Sequence, residues 1–223
     1  MLIIFDLDDT LIDTSGSITP ITLKRALTRL VECGFSPAPF TQLLEELYGY
    51  NKTAENAGEA IEKLLEKYGC KKRFLEQALE YVYAPFTEDI LVHPLPDALC
   101  VLQDLQRRHT LAIVSSGRLT CQLQKMEKAG IDTTLFSKIC VCTGKEKKHL
   151  YQTVCQELGV SAHDTVVCGD RIERDLEPAK ELGCVTVQML WGRGLSSFQT
   201  GQHRQVTGLL EFSSFIASWG NKV

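Results

Sequence analysis

No apolar run in this 223-residue chain reaches the roughly 20 residues that a membrane-spanning helix needs. Basic residues are not in excess. The 24 Lys and Arg stand against 28 Asp and Glu, a net charge of -4. That balance argues against nucleic acid or an anionic membrane surface as a partner. The first residues lack the charged start, apolar stretch and cleavage site of a secretory leader, so a cytoplasmic location is expected. There are no internal repeats and no low-complexity segment. A disulfide framework is also excluded, because the nine cysteines are odd in number and scattered through apolar segments. Cys140 and Cys142 form an isolated C-x-C, too little for a zinc site. The cysteines are expected to be small buried hydrophobes in a reducing compartment. What is present is ordinary: 44% hydrophobic and 23% charged residues, in a chain long enough to bury a core without staples.

Five short apolar runs read as buried strands: Leu2–Phe5, Leu111–Val114, Ile139–Cys142, Val166–Cys168 and Cys184–Met189. Between the later ones lie helical patterns. Leu119, Leu123 and Met126 mark one apolar face; Leu150, Val154, Cys155 and Leu158 a second; Leu176, Ala179 and Leu182 a third. Each stops at a glycine, the usual residue just past a helix. Strands alternating with single helices predict an α/β fold with a doubly wound, mostly parallel sheet, whose strand ends gather polar residues at one edge.

About a hundred residues separate the first two strands, and most of them read as helix. Thr19-Pro20 looks like a cap followed by a first-turn proline. Stripes such as Leu23, Leu27 and Leu30 stop at Gly34. Others stop at Gly49, Gly69 and Pro85. Four amphipathic helices can bury their stripes against one another. Residues 15–88 are therefore read as a helical domain inserted into an α/β domain of residues 1–14 and 89–223. Residues 96–108 are read as a helix of the α/β domain.

Chemistry concentrates at the strand ends. Asp6-Leu7-Asp8-Asp9-Thr10 follows the first strand. Three carboxylates in four positions repel one another, and they either form a solvated acidic turn or share a hard cation such as Mg²⁺. Gly169-Asp170 follows the fourth strand, with Asp175 five residues on. Asp175 could also cap a helix. Ser115-Ser116-Gly117 ends the second strand, as either a helix cap or a phosphate cradle of a hydroxyl and backbone N–H groups. Lys145, Lys147 and Lys148 precede a helix, where a cation opposes the helix dipole and an anion elsewhere could hold it. Arg193, in Trp191-Gly192-Arg193-Gly194, stands at the same edge as either an entrance residue or part of an exposed loop.

The order D-x-D-x-T, then serine, then lysine before a helix, then G-D-(x)4-D resembles the haloacid dehalogenase superfamily of phosphohydrolases over nearly the whole chain. Asp8 places the resemblance with its phosphatases rather than its dehalogenases. The helical insertion resembles the cap of the phosphoglycolate phosphatase and β-phosphoglucomutase branch. The resemblance implies a Mg²⁺-dependent phosphatase of a small phosphomonoester. A phosphomutase and a non-catalytic binding protein on the same fold are the alternatives. It assigns Asp6 as nucleophile and Asp8 as acid and base. Thr10 braces the loop, and Ser115, Ser116 and Gly117 hold the phosphoryl group. Asp6, Asp8 and Asp170 hold the metal, with Asp175 in support. For the lysine, the family's K-P-x-P pattern lacks its prolines here. Counting back from Leu158-Gly159 favours Lys145, and a shift of two selects Lys147.

Overall fold

The structure is a computed structural model, and it describes residues 1–84, 90–143, 147–196 and 203–219. In chain order the main elements are β1 (Leu2–Phe5), α1 (Thr19–Glu32), α2 (Phe40–Thr53), α3 (Ala57–Lys67), α4 (Lys71–Val82) and α5 (Ala98–Gln106). They continue with β2 (Thr110–Ser116), α6 (Leu119–Lys128), β3 (Lys138–Cys142), α7 (Lys147–Glu157) and β4 (Thr165–Gly169). The last are α8 (Glu177–Lys180), β5 (Val185–Met189), β6 (Arg204–Val206) and α9 (Leu209–Trp219). Two compact units result, one of Met1–Thr14 with Leu91–Val223 and one of Ser15–Ile90. Among the described residues no helix is long and apolar enough to cross a membrane.

The first unit is built on a sheet of order β3-β2-β1-β4-β5-β6. Every neighbouring pair is parallel. Covering helices require both faces of such a sheet to be apolar, and Leu2-Ile3-Ile4-Phe5 of β1 is buried throughout. Leu2 and Ile4 join Ala112, Val114 and Val167 in a cluster with Tyr151, Val154 and Cys155 of α7. Phe5 instead meets Phe212 of α9, ring edge against face at 5.2 Å. The chain runs outward from β1 through β2 to β3, then returns to place β4 on the other side of β1. The carboxyl ends of β1 and β4 therefore flank the switch point, where open α/β sheets bind ligands.

The second unit packs α1 to α4 around Leu23, Leu27, Phe35, Leu43, Leu47, Ile61, Leu64 and Phe74. Phe35 stacks edge to face on Tyr68 and on Phe74. Asn56 caps α3 by accepting from the Glu59 N–H at 3.0 Å.

Several local expectations differ from the structure. Thr19 is already helical, and its N-cap Ile18 offers no side-chain bond. Helix α2 runs through Gly49 to Thr53. Burial of Leu43 and Leu47 outweighs the penalty of about 1 kcal/mol for an interior glycine. Pro85 lies outside the described residues. Helix α6 buries Gln122 and Met126, while Leu119 and Leu123 are 49% and 37% exposed. Strand β6 was not anticipated, being three residues without an apolar run. None of the nine cysteines forms a disulfide, but only Cys142, Cys155, Cys168 and Cys184 are buried; Cys33 and Cys100 are exposed.

Because β1 is closed on both faces, Ile4→Ala is expected to destabilise the α/β unit by about 2–5 kcal/mol in denaturant unfolding. Leu210→Ala, at a site 57% exposed, should stay within about 0.5 kcal/mol of the parent.

Candidate active site

Asp6 is the first residue after β1, and its N–H donates to the Cys168 carbonyl of β4 at 2.9 Å. Its carboxylate therefore emerges at the switch point. Asp170 leaves β4 beside it. Asp175 folds back from the helical turn that follows, its Oδ2 accepting from the Arg171 N–H at 2.9 Å. Gly169 makes this possible, because a Cβ there would lie 2.5 Å from Cβ of Asp175.

Lys147 joins the three. It opens α7, is 3% exposed, and donates to Asp6 Oδ1 at 2.7 Å and to Asp175 Oδ1 at 2.6 Å. An ammonium at a helix N-terminus is mildly unfavourable, and the two carboxylates outweigh that. Burial works against the charge on Lys147, but Asp175 and Asp6 override it and hold its proton affinity well above that of a free lysine. Lys145 lies outside the described residues; the lysine that the structure brings into this cluster is Lys147.

Asp8, two residues on, has a separate environment. Lys125 of α6 donates to both of its oxygens, at 2.6 and 2.8 Å. Gln122 Nε2 donates to Oδ2 at 3.0 Å, and the Thr14 hydroxyl donates to Oδ1. Burial raises the proton affinity of Asp8, but Lys125 and these hydrogen bonds prevail and hold it below the usual carboxylate range. Asp6 goes the other way. Burial, with the Asp175 and Asp8 charges beside it, pushes it up to about 6 against the pull of Lys147.

Ser115, the penultimate residue of β2, lies at the same edge, nearly fully buried, its Oγ accepting from Gln122 Nε2 at 2.9 Å. The Gly117 N–H is committed to the Cys142 carbonyl at 2.8 Å. The β2–β3 ladder thus reaches one residue past β2. Ser116 gives its carbonyl to Gln122 at 2.9 Å. Thr10 is buried, and its hydroxyl has no partner among the described residues. Asp9 takes a left-handed φ of 55° and packs against Gly192, where any Cβ would collide with its carboxylate. Arg193, partly buried, has Asp9, Asp170 and Asp8 as its anionic neighbours.

Gln122, Lys125 and Thr14 escaped the sequence reading, which followed the leucines of α6 and passed over the polar residues between them. The one available signal was a Gln and a Lys three apart, on one helix face, shortly after Ser115.

The carboxylates outnumber the cations. Among the described residues Asp6, Asp8, Asp9, Asp170 and Asp175 face Lys125, Lys147, Arg171 and Arg193. Carboxylate oxygens of Asp6, Asp170 and Asp175 lie within 4.8 Å of one another. Burial and repulsion from Asp175, Asp6 and Asp9 push Asp170 well above its ordinary range. A set of hard oxygen donors short of positive charge fits a hard divalent cation.

Comparison with known proteins gives the family. A family model described as haloacid dehalogenase-like hydrolase matches residues 3–189. The glyceraldehyde 3-phosphate phosphatase of Methanocaldococcus jannaschii is 28% identical over 204 residues, 86% of this chain and 85% of the relative. The phosphoglycolate phosphatase of Aquifex aeolicus is 29% identical over 202 residues, with coverages of 86% and 85%. The human N-acylneuraminate-9-phosphatase is 22% identical, covering 99% of this chain and 95% of the relative. Among solved structures, a haloacid dehalogenase-like family hydrolase from Xanthomonas campestris shares the fold with a TM-score of 0.64 and 21% identity, over 98% of this chain and 95% of the other. A haloacid dehalogenase-like family protein of Streptococcus pneumoniae gives a TM-score of 0.69 at 16% identity, over 96% and 97% of the two chains.

The surplus of buried negative charge makes a testable statement. A divalent cation at a hundredfold excess over its Kd should raise the thermal midpoint by about 5–10 °C. Asp170→Asn removes a repelling charge, so the metal-free variant should melt higher than the metal-free parent. It should also lose the rise on adding cation, as read by thermal unfolding of both proteins with cation and with chelator.

Proposed function

This chain belongs to the haloacid dehalogenase-like hydrolases, and from that premise we propose that it is a Mg²⁺-dependent phosphatase, hydrolysing a small phosphomonoester through a phosphoryl group carried on Asp6. One juxtaposition supports this best. Asp6 stands at the switch point, bonded by the Lys147 ammonium at 2.7 Å, and its carboxylate oxygen lies within 4.8 Å of those of Asp170 and Asp175. The substrate class comes from the relatives, which are named for glyceraldehyde 3-phosphate, phosphoglycolate and N-acylneuraminate 9-phosphate chemistry. The helical unit Ser15–Ile90 takes the part of the cap in this reading, as the unit whose sequence sets substrate choice.

A carboxylate attacking a phosphate faces like-charge repulsion. Lys147 offsets part of it at Asp6, and the Ser115 hydroxyl donates to a phosphoryl oxygen. Mg²⁺ held by Asp6, Asp170 and the Asp8 carbonyl, with Asp175 in support, would supply the remaining positive charge. In the first displacement an Asp6 oxygen bonds to phosphorus, the ester P–O bond breaks, and the leaving oxygen takes a proton from Asp8. Asp8 is ionised in the resting site. A phosphate dianion arriving beside it raises its proton affinity by repulsion, so it can carry that proton. In the second displacement water attacks the phosphorus, its proton passes to Asp8, and the bond to Asp6 breaks. One carboxylate thus serves as acid and then as base.

Asp6→Asn should abolish Mg²⁺-dependent release of inorganic phosphate from a panel of small phosphomonoesters and leave the melting curve cooperative. Lys147→Met should lower kcat by about a hundredfold or more. Full activity in Asp6→Asn would overturn the mechanism.

A further inference from the structure

Helix α6 makes an unusual choice of which face to bury. Leu119 is 49% exposed and Leu123 is 37% exposed, while Gln122 between them is 1% exposed. Turning leucines outward and an amide inward forfeits apolar burial and desolvates a polar group. Only specific polar contacts can compensate for that arrangement.

Those contacts converge on two residues of the reaction. Gln122 Nε2 lies 3.0 Å from Asp8 Oδ2, 2.9 Å from Ser115 Oγ and 2.9 Å from the Ser116 carbonyl. An amide nitrogen carries two hydrogens, so these three acceptors must share them. With acceptors on that side, only the nitrogen end of the amide can face them. Its Oε1 is left buried and without a partner among the described residues. The Ser115 hydroxyl, accepting from Gln122, keeps its own hydrogen for another oxygen. One helical turn on, the Lys125 ammonium straddles both oxygens of Asp8, with a side chain only 12% exposed. Lys125 alone would hold Asp8 as a point charge and leave the carboxylate free to rotate. Gln122 on Oδ2 and Thr14 on Oδ1 remove that freedom.

We propose that Gln122 and Lys125 are positioning residues for phosphoryl transfer: they aim the Asp8 carboxylate at the departing ester oxygen and set the Ser115 hydroxyl as a donor to the phosphoryl group. The inference rests on the roles given above to Asp6, Asp8 and Ser115. It adds that α6, through two side chains of one face, decides how well a poor leaving group is served. Proton delivery matters most when the departing oxygen is basic. An alkoxide needs it and a nitrophenolate does not.

The test compares kcat/KM for a simple alkyl phosphate and for 4-nitrophenyl phosphate, with Mg²⁺ present. In Lys125→Met and in Gln122→Met, the alkyl ester should lose at least about tenfold more than the nitrophenyl ester. Asp8→Asn gives the full size of that signature, and Lys125→Arg should recover part of the alkyl-ester rate. Thermal melts confirm which variants are folded; if Lys125→Met is not, Gln122→Met and Lys125→Arg carry the comparison. An equal fall for both esters, or no fall, overturns the inference, since a merely structural role cannot distinguish leaving groups. Wild type and Asp6→Asn separate the two levels. If wild type releases phosphate from neither ester, the phosphatase reading fails and this inference with it. If wild type is active, Asp6→Asn is dead and the α6 variants lose both esters equally, only the inference fails.

Discussion

A buried ammonium between two buried carboxylates organises this molecule. Lys147 sits between Asp6 and Asp175 at 2.7 and 2.6 Å, with almost no solvent access. Removing either partner type would leave uncompensated charge in a low-dielectric site, a far larger penalty than a surface pair ever carries. The surrounding structure follows from that need. Helix α7 must begin where its first residue reaches the end of β1. The turn after β4 must bend Asp175 back against Gly169, which is why no side chain stands there. The Arg171 N–H then holds the second oxygen of Asp175.

Asp6 and Asp8 are two residues apart in one loop, yet the protein treats them oppositely. Burial and neighbouring carboxylates raise Asp6 to about 6. Lys125, Gln122 and Thr14 outweigh burial at Asp8 and keep it low. Pairs of acids driven apart in this way are a frequent mark of a divided task. The division arises from two different helices. Helix α7 supplies the cation for one acid and α6 the cation for the other. Even with Arg193 and Arg171 counted, negative charge remains in surplus; burial and that surplus together raise Asp170, and the surplus suits a divalent cation.

The strands were legible because an all-parallel sheet buries both faces, which writes each strand as an unbroken apolar run. The acidic motifs were legible because they follow those runs directly. Other features were hidden for identifiable reasons. Strand β6, Arg204–Val206, pairs at the sheet edge with β5 and needs no apolar run of its own. Gly49 reads as a helix stop, but the packing of Leu43 and Leu47 carries α2 past it. In α6 the stripe of Leu119, Leu123 and Met126 held only at Met126, because hydrophobic periodicity assumes that burial is apolar and Gln122 is buried for its hydrogen bonds.

The amino-acid sequence by itself determined the order of the first five strands and of the helices between the later ones, and the carboxylates at the ends of β1 and β4. Each of these is written locally, in runs, spacings and turn residues. Tertiary structure alone decided which cations answer those carboxylates. Lys147 is 141 residues from Asp6 and Lys125 is 117 from Asp8. A salt bridge across such separations is set by the phase of a helix and by how the sheet brings strand ends together. Neither is contained in a short stretch of chain, because both depend on how each side chain shares a buried volume with residues far away in sequence.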